Sequence, residues 1–229
     1  MASNTVPFLR DTLSRTTFPA CGLTLDIGRQ RMTEADFNSL LEIAREKGVL
    51  GANAAMREGQ IVNASEGRAA LHTALRDPAV GAPFHKEVQE ALEHMCAFAD
   101  DVRSGRRRGC RGDTITDVIN VGIGGSEVGP KTVYQALRTT REQVHFLAAA
   151  DGVSFDRIVG DLNPFKTLVI VSSKSFTTRE TAVNAAAIDQ WLLEAGISGE
   201  DRARHMVVVS ANKNAAREMN LPEENFFPI

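Results

Sequence analysis

From Asp113 onward the chain repeats one pattern, a short apolar run, a turn and a helical segment, and few folds accommodate it. The apolar runs fall at 118–121, 144–149, 168–171 and 206–209. Helical segments separate them at 131–137, 178–195 and 215–219. Runs without polar alternation suit strands buried on both faces, and strands that alternate with helices form βαβ units. The expected fold is therefore α/β: three layers (α/β/α) around a mainly parallel sheet. In such sheets ligands sit at the carboxyl ends of the strands, where strand gives way to helix. Two of those junctions are chemically unusual.

The first is the run from Val118 to Pro130, VINVGIGGSEVGP. Gly122, Gly124, Gly125 and Gly129 allow positive φ and close backbone approach to a ligand. Ser126 adds a hydroxyl at a helix start, where free N–H groups favour an oxyanion. Pro130 is expected in the first helical turn. Two nucleotide motifs fail here at named positions. The dinucleotide fingerprint begun at Gly122 and Gly124 requires glycine where Glu127 stands. The phosphate loop begun at Gly124 is broken by Pro130, which displaces Lys131 by one position.

The second junction, Ser172-Ser-Lys-Ser-Phe-Thr-Thr-Arg-Glu-Thr, follows the third run. Five hydroxyl residues and Lys174 precede a helix, with Thr177 and Glu180 spaced as a capping box. A cap alone accounts for Thr177 and Glu180 but not for Ser173, Lys174, Ser175 and Thr178. Hydroxyls, free amides and a lysine together form a cradle for a phosphate dianion. The acids of the two turns, Glu127 and Glu180, are explained by helix N-terminal charge, so no general base is visible. His72, in GRAALHTALR, is read as structural within a helical stretch.

Charge narrows the partners. Lys and Arg number 26 against 29 Asp and Glu, a net of -3, which argues against a nucleic-acid or membrane-surface binder. No apolar window is long enough for a membrane-spanning helix. Cys21, Cys96 and Cys110 are odd in number and lack zinc-pair spacing, which suggests a reduced, cytoplasmic setting and no metal. The Ser/Thr-rich start carries Arg10 and Arg15, as a transit peptide does, but Asp11 counts against that reading.

Residues 1–110 read as a helical segment. Thr33 is the expected N-cap of a helix with Phe37, Leu40, Leu41 and Ile43 at helical spacing, ending near Gly48. A second helix is expected at 86–103, with Val88, Ala91, Leu92, Met95 and Phe98 on one stripe. The basic loop SGRRRGCRGD is taken as a solvated boundary, with the α/β domain occupying 111–229.

With both junctions described, a family resemblance becomes specific. VINVGIGGSEVGP resembles the glycine-rich signature of the glucose-6-phosphate isomerase family, and SSKSFTTRET resembles its phosphate loop. INASEGRAALHTALR, Asp151-Gly152 and VVVSANKNAAREMNL match further blocks in order, from about residue 23 to the end. The resemblance implies a sugar-isomerase (SIS-type) domain that holds a sugar phosphate. Gly125 and Ser126 would contact that ligand, and Ser173, Lys174, Ser175 and Thr178 would hold its phosphate, with Phe176 and Thr177 completing the loop. It also implies an aldose–ketose isomerase that works through an enediol, without metal or organic cofactor, as a homodimer.

The departures are local. Ser175 replaces a threonine and keeps its hydroxyl, Ala148-Ala149-Ala150 replaces a more polar segment, and Ala64-Ser65 varies the block before Glu66. The family's proton-transfer residues lie beyond the last block matched. The resemblance thus implies a fragment or isolated domain of the isomerase, contributing the phosphate-binding half and inactive alone. The alternative is a non-catalytic sugar-phosphate-binding module or regulator.

Overall fold

The computed structural model describes residues 15–137 and 143–229. The transit-peptide reading of the first residues lies outside the described part. Contacts divide the chain into two compact units, Met1–Val88 and Gln89–Ile229. The division therefore falls well before the basic loop at residue 110 that the sequence suggested.

In the first unit, strands β1 (Thr17–Ala20) and β2 (Leu23–Asp26) form an antiparallel hairpin. Sequence reading had this segment within a helical region. The turn residues Cys21 and Gly22 have φ of 51° and 74°, the conformation a two-residue hairpin turn requires. Two helices follow, α1 (Glu34–Glu46) and α2 (Val49–Arg57). Thr33 caps α1 as expected: its side chain accepts from the Asp36 amide, and Asp36 accepts from the Thr33 amide in return. Gly48 follows the end of α1 with φ 65°. No residue of α1 or α2 is buried. His72 is exposed in a turn before a short 3-10 segment (Ala74–Arg76), not in a helix.

The second unit is the α/β domain. Helix α3 (His85–Arg103), which belongs to this unit from Gln89 onward, leads to β3 (Asp117–Val121), α4 (Gly125–Leu137), β4 (Gln143–Leu147), α5 (Gly152–Val159) and β5 (Thr167–Ser172). Helix α6 (Arg179–Glu194), β6 (Met206–Ser210), α7 (Ala215–Glu218) and β7 (Phe226–Pro228) complete it. The strands form one parallel sheet in the order β4-β3-β5-β6-β7. Period-2 alternation divides its residues between two cores. Ile119, Val121, Val169, Val171 and Val208 pack with Ile188 and Leu192 of α6. Val118, Leu168 and Val207 pack on the other face with Val102 of α3 and Phe227.

The basic loop is tied into this unit and is not a solvated linker. Arg107 Nη2 donates to the Ala203 carbonyl at 2.7 Å, and its guanidinium lies 4.5 Å from the Phe98 ring centre. Arg106 Nε pairs with Asp101 at 2.6 Å. Behind the loop His205 is wholly buried. Its Nε2 accepts the Cys110 amide at 2.9 Å, and its Nδ1 lies 2.9 Å from the Thr167 carbonyl. An amide donor at Nε2 and a carbonyl at Nδ1 fix the neutral imidazole with its proton on Nδ1. Burial lowers the pKa of His205 accordingly.

Candidate active site

The strand order reverses direction once. From β3 the chain moves outward to β4, then returns past β3 to β5 and continues to β7. The switch point therefore lies between β3 and β5, whose last paired residues are Val121 and Val171. Adjacent strands that leave in opposite directions open a crevice at their carboxyl ends. The two turns singled out in the sequence are the ones that leave β3 and β5.

The first turn is shorter than the sequence suggested, because α4 begins at Gly125. Ser126 is thus the second residue of the helix and Pro130 its sixth, inside the helix and not in its first turn. A proline there cannot donate to the carbonyl four residues back, Ser126 O. Asn120, 6% exposed on β3, supplies the missing donor: its Nδ2 reaches Ser126 O at 2.9 Å. Gly124 makes the turn at φ 60°. Gly122 is dictated by contact, since a Cβ there would stand 2.9 Å from Ser126 Cβ and 3.0 Å from the Ser172 carbonyl. The two turns therefore touch through Gly122. Lys131, the displaced candidate lysine, pairs with Glu127 at 3.0 Å.

The second turn is held from β6. Ser210 Oγ donates to the Ser173 carbonyl at 2.6 Å and lies 3.1 Å from the Lys174 carbonyl, while it accepts the Asn212 amide at 3.0 Å. The Ala211 amide also donates to the Lys174 carbonyl, at 3.0 Å. Phe176 has φ 61°, uncommon for a bulky residue, and its ring packs on the sheet core. The expected capping box does not form. Thr178, not Thr177, is the N-cap of α6, and it makes no side-chain cap bond. The Thr177 hydroxyl is 2.7 Å from that of Ser175, and the Thr177 amide reaches Ser175 Oγ at 3.3 Å.

The expected residues are thus distributed over two touching turns: Gly125 and Ser126 on one, and Ser173, Lys174, Ser175, Phe176, Thr177 and Thr178 on the other. Lys174 and Ser175 are exposed; Ser173 is 4% exposed and its hydroxyl has no hydrogen-bond partner in the protein. A second orphaned hydroxyl, that of Thr181 in the first turn of α6, is equally buried. Ser173, Thr178 and Thr181 line one cavity of about 270 Å³ with Val171, Phe176 and Ala185. Thr181 lies on the buried side of α6 with Ala185, Ile188 and Leu192, and sequence reading did not single out its hydroxyl. It also missed Asn120, within the first run but not singled out there, and Ser210, outside both runs, which hold the turns. Uncapped α6 amides, hydroxyls and a lysine suit an anion. Among the described residues no group of three His, Cys, Asp or Glu side chains is arranged to hold a metal ion.

Fold and crevice define a doubly wound α/β domain of the kind that takes a ligand at its switch point. The sequence model of the phosphoglucose isomerase family matches residues 26–229, and the chain belongs to that family. It is 44% identical over 224 residues to glucose-6-phosphate isomerase 2 of Cupriavidus pinatubonensis, covering 94% of this chain and 41% of that protein. It is 45% identical over 217 residues to the glucose-6-phosphate isomerase of Anaeromyxobacter dehalogenans, covering 90% and 39%. The chain spans about two fifths of the length of these relatives. The crystal structure of a glucose-6-phosphate isomerase from Chlamydia trachomatis shares the fold, with a TM-score of 0.66 at 24% identity over 93% of this chain and 41% of that one. No helix among the described residues is long and apolar enough to cross a membrane.

Proposed function

We propose that this chain carries the sugar-phosphate-binding part of an isomerase that interconverts glucose 6-phosphate and fructose 6-phosphate. The observation that carries the reading is the buried, unpartnered hydroxyl of Ser173, set beside the uncapped start of α6 at the switch point. A buried hydroxyl without a partner is costly, and a phosphate oxygen supplies the partner. Lys174 adds charge, Ser175 and Thr178 add hydroxyls, and the α6 amides complete a dianion site. Gly125 and Ser126, across the crevice, face the rest of the sugar phosphate.

In the full reaction the sugar ring opens and a proton passes between C2 and C1 through an enediol. The cradle groups serve positioning. They hold the phosphate and set the distance from it to the reacting carbons. The cradle contains no carboxylate or imidazole suited to general-base work. The 229-residue chain is therefore expected to bind sugar phosphates without interconverting them, the homodimeric enzyme of the cytoplasm being the whole-protein context of the same reading.

Calorimetric titration with glucose 6-phosphate and fructose 6-phosphate tests the site. Ser173→Ala combined with Lys174→Ala is expected to weaken both by about 10- to 100-fold, as for loss of hydrogen bonds to a charged group. Unchanged affinity would remove the phosphate assignment. Binding without turnover in a coupled assay fits either an isomerase part or a purely binding module. Turnover by the chain alone would contradict the proposed division of labour.

A further inference from the structure

Thr181 reads in the sequence as one member of the apolar stripe of α6. Its neighbours on that stripe, Ala185, Ile188 and Leu192, are buried and apolar. Its own hydroxyl, in a residue 4% exposed, has no partner in the protein. Donation to a carbonyl of the preceding turn is not used either. Ser173 is in the same condition, equally buried and equally unpartnered, and the two line one cavity with Thr178 between them in sequence. The hydroxyls do not bond to each other.

We infer that Thr181 is a positioning residue of the phosphate site, acting through one cavity water that links its hydroxyl to Ser173. This rests on the phosphate-binding reading of Ser173 given above. The cavity is far larger than one water needs, and in its largely apolar wall the hydroxyls of Ser173, Thr178 and Thr181 are the groups that would give that water its two to four partners. A serine hydroxyl rotates freely about its χ1 wells and its O–H torsion. With Thr181 and the water behind it, the Ser173 oxygen is held in one orientation, and its proton points toward the phosphate oxygen. Without them the hydroxyl must be ordered when the ligand arrives, and binding weakens by that amount.

The consequence separates a positioning role from a packing role. The Thr181 hydroxyl meets a water and no protein group, so replacing it by an apolar group of the same shape strips no protein donor or acceptor of its partner and is neutral or stabilising for the fold. Thr181→Val is therefore expected to leave the Tm of the 229-residue chain unchanged or raised. In the same variant, affinity for glucose 6-phosphate and for inorganic phosphate is expected to fall about five- to tenfold. Thr181→Ser, which keeps the hydroxyl, is expected to retain affinity within about twofold. Adding Thr181→Val to Ser173→Ala is expected to weaken binding no further, because the two act as one unit.

Wild-type affinity in Thr181→Val, in a preparation where Ser173→Ala does weaken binding, overturns this inference and leaves the phosphate site standing. A lowered Tm with losses that add to those of Ser173→Ala also overturns it, in favour of a packing role. Failure of the unmutated chain to bind either probe removes the phosphate reading and this inference with it.

Discussion

Gly122 stands where the two turns of the crevice pass closest, with Ser126 on one side and the Ser172 carbonyl on the other. Gly122→Ala forces atoms apart on both sides at once. It is expected to cost about 1–3 kcal/mol in a denaturant titration and to weaken sugar-phosphate binding in the same protein. His205 offers a second test at this scale. Its folded pKa is lowered, mainly by burial and also by Arg107 and Arg204, while the Thr167 hydrogen bond and Asp201 oppose the shift. A base with a depressed folded pKa binds fewer protons folded than unfolded. Stability is therefore complete above the ordinary histidine value of 6.5 and is lost as pH falls from there toward the folded value. The loss is limited to about 1.4 kcal/mol per pH unit for this one group. Thermal melts between pH 7.5 and 5 are expected to show that slope. In His205→Gln it should flatten, because glutamine does not titrate; an equal slope in both proteins assigns it to other groups.

Among the elements, β6 shows how the site is supported from outside its own motifs. Ser210, at its carboxyl end, bonds to carbonyls of the second turn and receives the Asn212 amide. Ser210→Ala strips partners from buried backbone groups and is expected to cost about 1–3 kcal/mol and to loosen the turn, read as weaker ligand binding together with a lower Tm. Strands β3 to β6 were legible in the sequence because each is a mainly apolar, β-branched-rich run between turn residues, interrupted only by single polar residues such as Asn120 and His145. The start of α4 was less legible, because Pro130 signals a helix entry and three of the preceding five residues are helix-poor glycine and serine. The helix carbonyl left by the proline is answered by Asn120, a tertiary compensation that no local pattern shows. The same holds for α6, where Thr177 and Glu180 have capping-box spacing but Ser175 engages the Thr177 hydroxyl instead. The hairpin β1–β2 was missed because its Cys21-Gly22 turn lacks the usual Asn-Gly or Asp-Gly signal. The two turns that carry the eight proposed site residues were legible as chemistry; that they adjoin came from strand order.

At the scale of the whole molecule the two units differ in how their residues contribute to stability. Leu147 is wholly buried in the larger core, whereas Leu40 on α1 is 53% exposed. Leu147→Ala is expected to cost about 2–5 kcal/mol, and Leu40→Ala about half a kcal/mol or less, in parallel chemical denaturation curves. A comparable loss at both positions would mean that α1 has a buried face in solution. The division also places the entire crevice, both turns and their supports, within Gln89–Ile229. The family match, over residues 26–229, extends through both units.

The exchange between Pro130 and Asn120 has a consequence for how such a molecule changes over a lineage. A carbonyl has two lone pairs, so Pro130 can give way to a residue with an N–H while Asn120 keeps its bond to Ser126. Loss of Asn120 while Pro130 remains leaves Ser126 O with neither donor. The two substitutions are thus tolerated in one order and penalised in the other, and the pair works as a ratchet on descent.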